Sequence, residues 1–270
     1  MVQIFDSLIH SGISPIWPSK PNTDISISRI IHKVENNPRL FGACIQTTPW
    51  YDYADSPDLF YQTVVDPSFR KRYYPVYTLS SLASKERAFS EVHLALEIGY
   101  TIFKLHPRFS NSTCQILYNV LDYLLSKGCF VQLCTYPYKS MSCKDANFDS
   151  YLLPQLLRSC CELTNKYRSY ICLMHGFGTQ VLEAHNYVRH NPYLILDLSM
   201  TMLKYEGSSI DLDLAYLFNS FDRRICIGSD YPEWDHGKLI RRFDNLVSTL
   251  DLSKATNVGY INILNAINSG

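Results

Sequence analysis

The sequence predicts a closed (β/α)₈ barrel. Three observations point there. Eight short apolar runs alternate with helix-like stretches along the 270 residues. Many of the runs are almost continuously apolar, the pattern of parallel strands covered on both faces. The length is close to the roughly 250 residues typical of such a barrel. A doubly wound open sheet is the other arrangement compatible with this alternation. No internal repeat, low-complexity segment or linker divides the chain, so residues 1–270 read as one domain.

The first strand is read at 2–8, VQIFDSL, and the second at 40–47, LFGACIQT. The loop after the second, 47–57, is polar and aromatic. The third strand is read at 72–79, and a helix follows at 83–99 with charged residues on one face and Gly99 as its C-terminal cap. The fourth strand, 100–105, leads to a helix at 114–128 ending on Gly128. The fifth, 129–134, leads through the polar loop 137–150 to a helix at 152–167. The last three strands are read at 170–174, 193–199 and 224–228.

Loops after strands sit at the C-terminal face of a barrel, where active sites are built. Candidate residues fall at those ends. His10 follows the first strand; Lys104, His106 and Arg108 close the fourth; Cys134 and Tyr136 close the fifth. His175 ends the sixth, Asp197 and Ser199 the seventh, and Asp230 follows the eighth. Imidazole and carboxylate serve both as zinc ligands and as general bases. Each residue also has a plainer reading: His10 as a rim histidine, Lys104 in a salt bridge, Arg108 as surface charge, Cys134 as an inert buried thiol, Asp230 as a helix cap. His175 precedes Gly176 and Gly178, which also suits an anion-cradling turn. His32, His93, His185, His190 and His236 fall on expected helices or loops and are read as surface or structural.

With 25 basic and 25 acidic residues the formal net charge is zero, against a general nucleic-acid or membrane-surface binder. The nine cysteines show no repeated metal-ribbon spacing and several lie in apolar runs, which fits buried free thiols in a reducing cytosol. No signal peptide or long apolar span is read. The expected partner is a small-molecule substrate, and a homo-oligomer is left open.

The segments FKLHPRF (103–109), LMHGFG (173–178), LILDLS (194–199) and IGSDYP (227–232), with IFDSLIH (4–10) before them and NILNAI (262–267) after, lie in one order across nearly the whole chain. In order and spacing they resemble the amidohydrolase-related family of TIM-barrel hydrolases, in the branch that includes aminocarboxymuconate decarboxylases and pyrone-dicarboxylate lactonases. The resemblance implies a catalytic Asp230 and His175, with one divalent cation, zinc, held by His10, Cys134, His175 and Asp230. It also marks two departures. The family's His-X-His opening is met here by Leu8 and His10, and the fifth-strand histidine by Cys134. The lactonase pattern implies a metal-free route in which Asp230 activates water and Lys104, His106, Arg108 and Tyr136 grip an anionic substrate. Decarboxylation, or a degenerate barrel that only binds, are the alternatives.

Overall fold

The computed structural model describes residues 1–13, 24–47, 56–80, 82, 84–107, 114–136 and 153–269. Eight strands form one sheet in sequential order: β1 (Ile4–His10), β2 (Leu40–Gln46), β3 (Arg72–Thr78), β4 (Ile102–Leu105), β5 (Phe130–Cys134), β6 (Ile171–Met174), β7 (Leu194–Asp197) and β8 (Ile225–Cys226). All seven pairings between neighbours in this order are parallel. The first and last strands meet through Ser7 N–H to Ile227 O at 3.1 Å and His10 N–H to Tyr231 O at 2.8 Å, which brings the sheet round into a nearly closed barrel. The open-sheet alternative is thereby set aside.

Helices alternate with the strands: α1 (Ile27–Glu35), α2 (Pro57–Val64), α3 (Lys85–Ile98), α4 (Cys114–Ser126), α5 (Leu153–Tyr167) and α6 (Val181–His190). A short turn, α7 (Thr201–Lys204), precedes α8 (Ile210–Ser220) after β7, and α9 (His236–Val247), α10 (Leu252–Thr256) and α11 (Asn262–Ile267) follow β8. In α1 the buried residues Ile27, Ile30, Ile31 and Val34 repeat at helical spacing and form the stripe that packs on the sheet. Ser84 caps α3 by accepting from Arg87 N–H, and Gly99 closes it at φ 114°, a conformation that costs other residues more. None of the described helices is long and apolar enough to cross a membrane.

Two differences from the sequence reading matter for the site. The first strand runs on through His10, so this histidine is held by the sheet and does not sit in a loop. The seventh and eighth strands are shorter than read, because after Asp197 and Cys226 the backbone leaves the ladder to shape the mouth. The loops read at 47–57 and 137–150 lie largely outside the described residues.

Most core residues lie between sheet and helices. A second cluster fills the barrel itself: Phe5, Leu8, Cys44, Val76, Ile102, Phe130, Cys172, Met174, Ile195 and Cys226, joined by Ile263, Leu264 and Ala266 of α11. Asn262 anchors that helix by donating to Ile225 O at 2.8 Å. The backbone of β2 needs a glycine where it approaches β3, since a Cβ at Gly42 would lie 2.0 Å from Arg72 O. Gly42→Ala should therefore force the strands apart and lower stability by about 1–3 kcal/mol. Urea denaturation checks this; an unchanged midpoint would show that the ladder relaxes freely there.

Candidate active site at the barrel mouth

His10, on the last position of β1, and Asp230, just past β8, come together although 220 residues separate them. His10 Nε2 lies 3.0 Å from Asp230 Oδ1, and the two residues are 6% and 7% exposed. Asp6 sets this meeting. Its Oδ1 accepts from Leu8 N–H at 3.2 Å and from Ser229 N–H at 2.8 Å, so one carboxylate ties the strand bearing His10 to the turn bearing Asp230. Gly228 makes room for it, because a Cβ there would lie 2.5 Å from Ser7 Oγ and 3.0 Å from Asp6 Oδ1. Asp230 itself has φ 54°, in the left-handed region that few side chains adopt.

Burial pushes the Asp230 carboxyl up. The His10 hydrogen bond and the charges of His175, His10 and Lys104 outweigh that, and the group is held well below the usual carboxylate range. Asp230 is therefore ionised throughout the neutral range.

The second part of the mouth is built around Asp197, the last residue of β7. Its Oδ1 accepts from His175 N–H at 3.2 Å, from Ser199 N–H at 3.0 Å and from Ser199 Oγ; its Oδ2 accepts from Ser7 Oγ. His175 Nδ1 lies 3.2 Å from Ser199 Oγ and 3.3 Å from Ser199 O. Since the Ser199 hydroxyl proton is directed to Asp197, both contacts call for a proton on Nδ1, as inferred from the network. The turn is strained: His175, Gly176, Phe177 and Gly178 all have positive φ, as does Met200. Burial raises the Asp197 carboxyl above its ordinary value, against the hydrogen bonds of Ser199, Ser7 and His175 and the charge of Lys104.

Lys104 is fully buried inside the barrel and acts on both aspartates through its field. Around it a polar layer crosses the barrel: Gln46 Nε2 donates to Gln132 Oε1 at 2.6 Å, and Gln132 Nε2 donates to Ser7 O at 3.0 Å. His106 is buried beside the mouth end of β4. Arg108 lies outside the described residues. Tyr136 stands edge-on to His175, with ring centroids 6.1 Å apart. Its hydroxyl accepts from Lys204 Nζ at 2.6 Å and lies 3.1 Å from Tyr205 Oη.

Lys204 and Tyr205 were not among the residues singled out from the sequence. Their one signal is position, seven and eight residues beyond Asp197 on the C-terminal side of β7. Two histidines read as surface or structural are buried. His236 Nε2 lies 3.3 Å from Asp6 Oδ2 with its ring stacked on Tyr231, and His185 packs edge-on against Phe221. Both were hidden because each is a lone polar residue on a helix whose inner face the sequence pattern left open.

The donors that the family resemblance assigns to a cation do not fit one at the mouth. Leu8 offers no donor and packs in the barrel interior, and His10 and Asp230 engage each other directly. Cys134 sits in an apolar group with Tyr136, Met200 and Trp234. Among the described residues, the one set of three or more metal-ligating side chains with donor atoms within 4.8 Å of one another is Cys172, Asp197 and Cys226, deeper in the barrel.

No family model and no curated protein matches the sequence. Solved structures do. The chain is similar to an uncharacterized TIM-barrel protein of Bordetella bronchiseptica, at 13% identity and TM-score 0.71, over 99% of each chain. It is similar to an amidohydrolase II at 12% identity and TM-score 0.58, covering 98% of this chain and all of the other. A dihydrodipicolinate synthase matches at 11% identity and TM-score 0.54, over 100% and 80% of the two chains. At such identities the likeness is one of fold, and the fold is a TIM barrel.

The depressed Asp230 carboxyl has a consequence for stability. Its contribution is fully present above its unfolded-state value, about 3.9, and is lost as pH falls below that. The stability difference between the wild type and Asp230→Asn should thus shrink as pH falls below about 4. Thermal melts across pH measure it; a gap that widens on acidification would show that Asp230 is not held ionised in the fold.

Proposed function

We propose that this barrel is a hydrolase of a small anionic substrate, a lactone, ester or amide, in which Asp230 activates water. The observation that carries the reading is a carboxylate buried at the mouth, bonded to His10 and kept ionised by surrounding cations. A pure scaffold gains nothing from holding a charged group there on strained backbone, which costs roughly 1–3 kcal/mol.

In this reading Asp230 takes a proton from water through the oxygen that His10 does not engage. The hydroxide adds to the substrate carbonyl, and the carbon–oxygen or carbon–nitrogen bond then breaks with the proton passing to the leaving group. His175, donating from Nε2–H in its charged form, and the Tyr136 hydroxyl orient the carbonyl by hydrogen bonds to its oxygen. Lys204, 2.6 Å from that hydroxyl and exposed at the rim, supplies the positive charge for the substrate's anionic group. Lys104 is too deeply buried for that contact and contributes by stabilising negative charge at Asp230.

The test is a screen of lactones, esters and amides that carry a carboxylate, followed by Asp230→Asn on whichever substrate turns over. Asparagine keeps the size but cannot take a proton, so turnover should fall about 10²–10⁴-fold. Full activity in Asp230→Asn would place the base elsewhere. Release of carbon dioxide in place of hydrolysis would make the barrel a decarboxylase. Saturable binding without turnover would support the binding-only reading, which the apolar Leu8 favours.

A further inference from the structure

Inside the barrel, below the mouth, two thiols and a carboxylate face one another. Cys172 of β6 and Cys226 of β8 have Sγ atoms 3.7 Å apart, and Cys226 Sγ lies 3.6 Å from Asp197 Oδ2. All three side chains are fully buried. Core cysteine is ordinarily a small hydrophobe. Here two of them stand in contact with each other and with an aspartate, so three metal-ligating groups meet at the edge of the apolar cluster.

The spacings match the edges of a metal polyhedron. Two sulfurs bonded to zinc at about 2.3 Å across a tetrahedral angle stand about 3.8 Å apart, and a sulfur and a carboxylate oxygen about 3.5 Å. The carboxylate is also oriented as a ligand usually is. Asp197 accepts hydrogen bonds from Ser7 Oγ, Ser199 and His175 N–H, the kind of outer contacts that hold ligating groups in place. We propose that Cys172, Cys226 and Asp197 bind one thiophilic divalent cation, zinc, within the barrel, in place of a cation at the mouth.

Charge balances in both states. Without metal, two neutral thiols accompany the Asp197 carboxylate and the Lys104 ammonium, which acts on both Cys172 and Asp197. With zinc, two thiol protons leave to solvent, and the cation, two thiolates, one carboxylate and Lys104 again sum to zero. Because the cluster is closed to water, the metal enters while the chain folds. The site does not rest on the hydrolase reading: its ligands exclude Asp230, but it braces the aspartate that holds His175.

Elemental analysis of the full chain, purified from zinc-containing medium without chelator, should find one zinc per chain. The metal should withstand chelator in the folded protein and be released on denaturation. The double variant Cys172→Ser/Cys226→Ser should lose it, whereas Asp230→Asn should keep it. Refolding the wild type with cobalt(II) should give thiolate-to-cobalt charge-transfer absorption in the near ultraviolet, a readout that stands even where the serine variant fails to fold. Folded wild type with neither zinc nor the cobalt bands overturns the proposal. So does zinc retained by the double serine variant and lost from Asp230→Asn, which would put the metal at the mouth.

Discussion

The mouth depends on one buried carboxylate. Asp197 accepts from Ser7 on β1, from the backbone of His175 beyond β6, and from both the backbone and the hydroxyl of Ser199 beyond β7. An ionised carboxylate without partners would be expelled from such an interior or protonated. Satisfied by this many donors it does the opposite, and fixes the distance between three strand ends. Hydrogen bonds to a charged acceptor are stronger than neutral ones, at about 1.5–3 kcal/mol each. This is enough to hold a run of left-handed residues from His175 to Gly178 that the chain would not adopt alone.

Asp6 plays the matching part on the other side. It joins β1 to the turn after β8, where the sheet lacks a long final strand, and so carries part of the barrel's closure. The two aspartates divide the work. Asp6 places the His10–Asp230 pair, and Asp197 places His175. Neither needs to touch a substrate. Their environments differ as the roles require: Asp230 is driven down by imidazole and ammonium neighbours, while Asp197, farther inside, is pushed up by burial.

The barrel interior is unusually mixed for a packed core. An apolar floor, closed by α11, supports a layer containing Gln46, Gln132 and Lys104 and the Cys172–Asp197–Cys226 group. Buried polar groups are costly unless paired, so a layer of this kind marks a place where pairing was more valuable than packing. The Cys172–Asp197–Cys226 group lies one layer below the mouth.

How much of this was legible in the chain follows from the reach of each signal. Hydrophobic periodicity is local, and eight apolar runs separated by helical stretches predict parallel βα units, with a closed barrel favoured over a doubly wound sheet. The same rule puts His10, His175 and Asp230 at the ends of strands. Leu8 stands out only against the family resemblance, where it takes the place of the first histidine of the His-X-His opening. What the sequence could not determine is which distant groups meet. The 3.0 Å contact of His10 with Asp230, the Lys204–Tyr136 pair, the burial of His236 against Asp6 and the approach of Cys172 to Cys226 all join residues on different strands or helices. Those contacts depend on strand register and on the point where each backbone leaves the ladder. Register is set by packing of the whole barrel at once, so no stretch of sequence carries it alone. The sequence by itself determined the alternation of strands and helices and the candidate strand ends; the tertiary structure decided closure and the pairings, because only closure of the barrel brings the ends to one place.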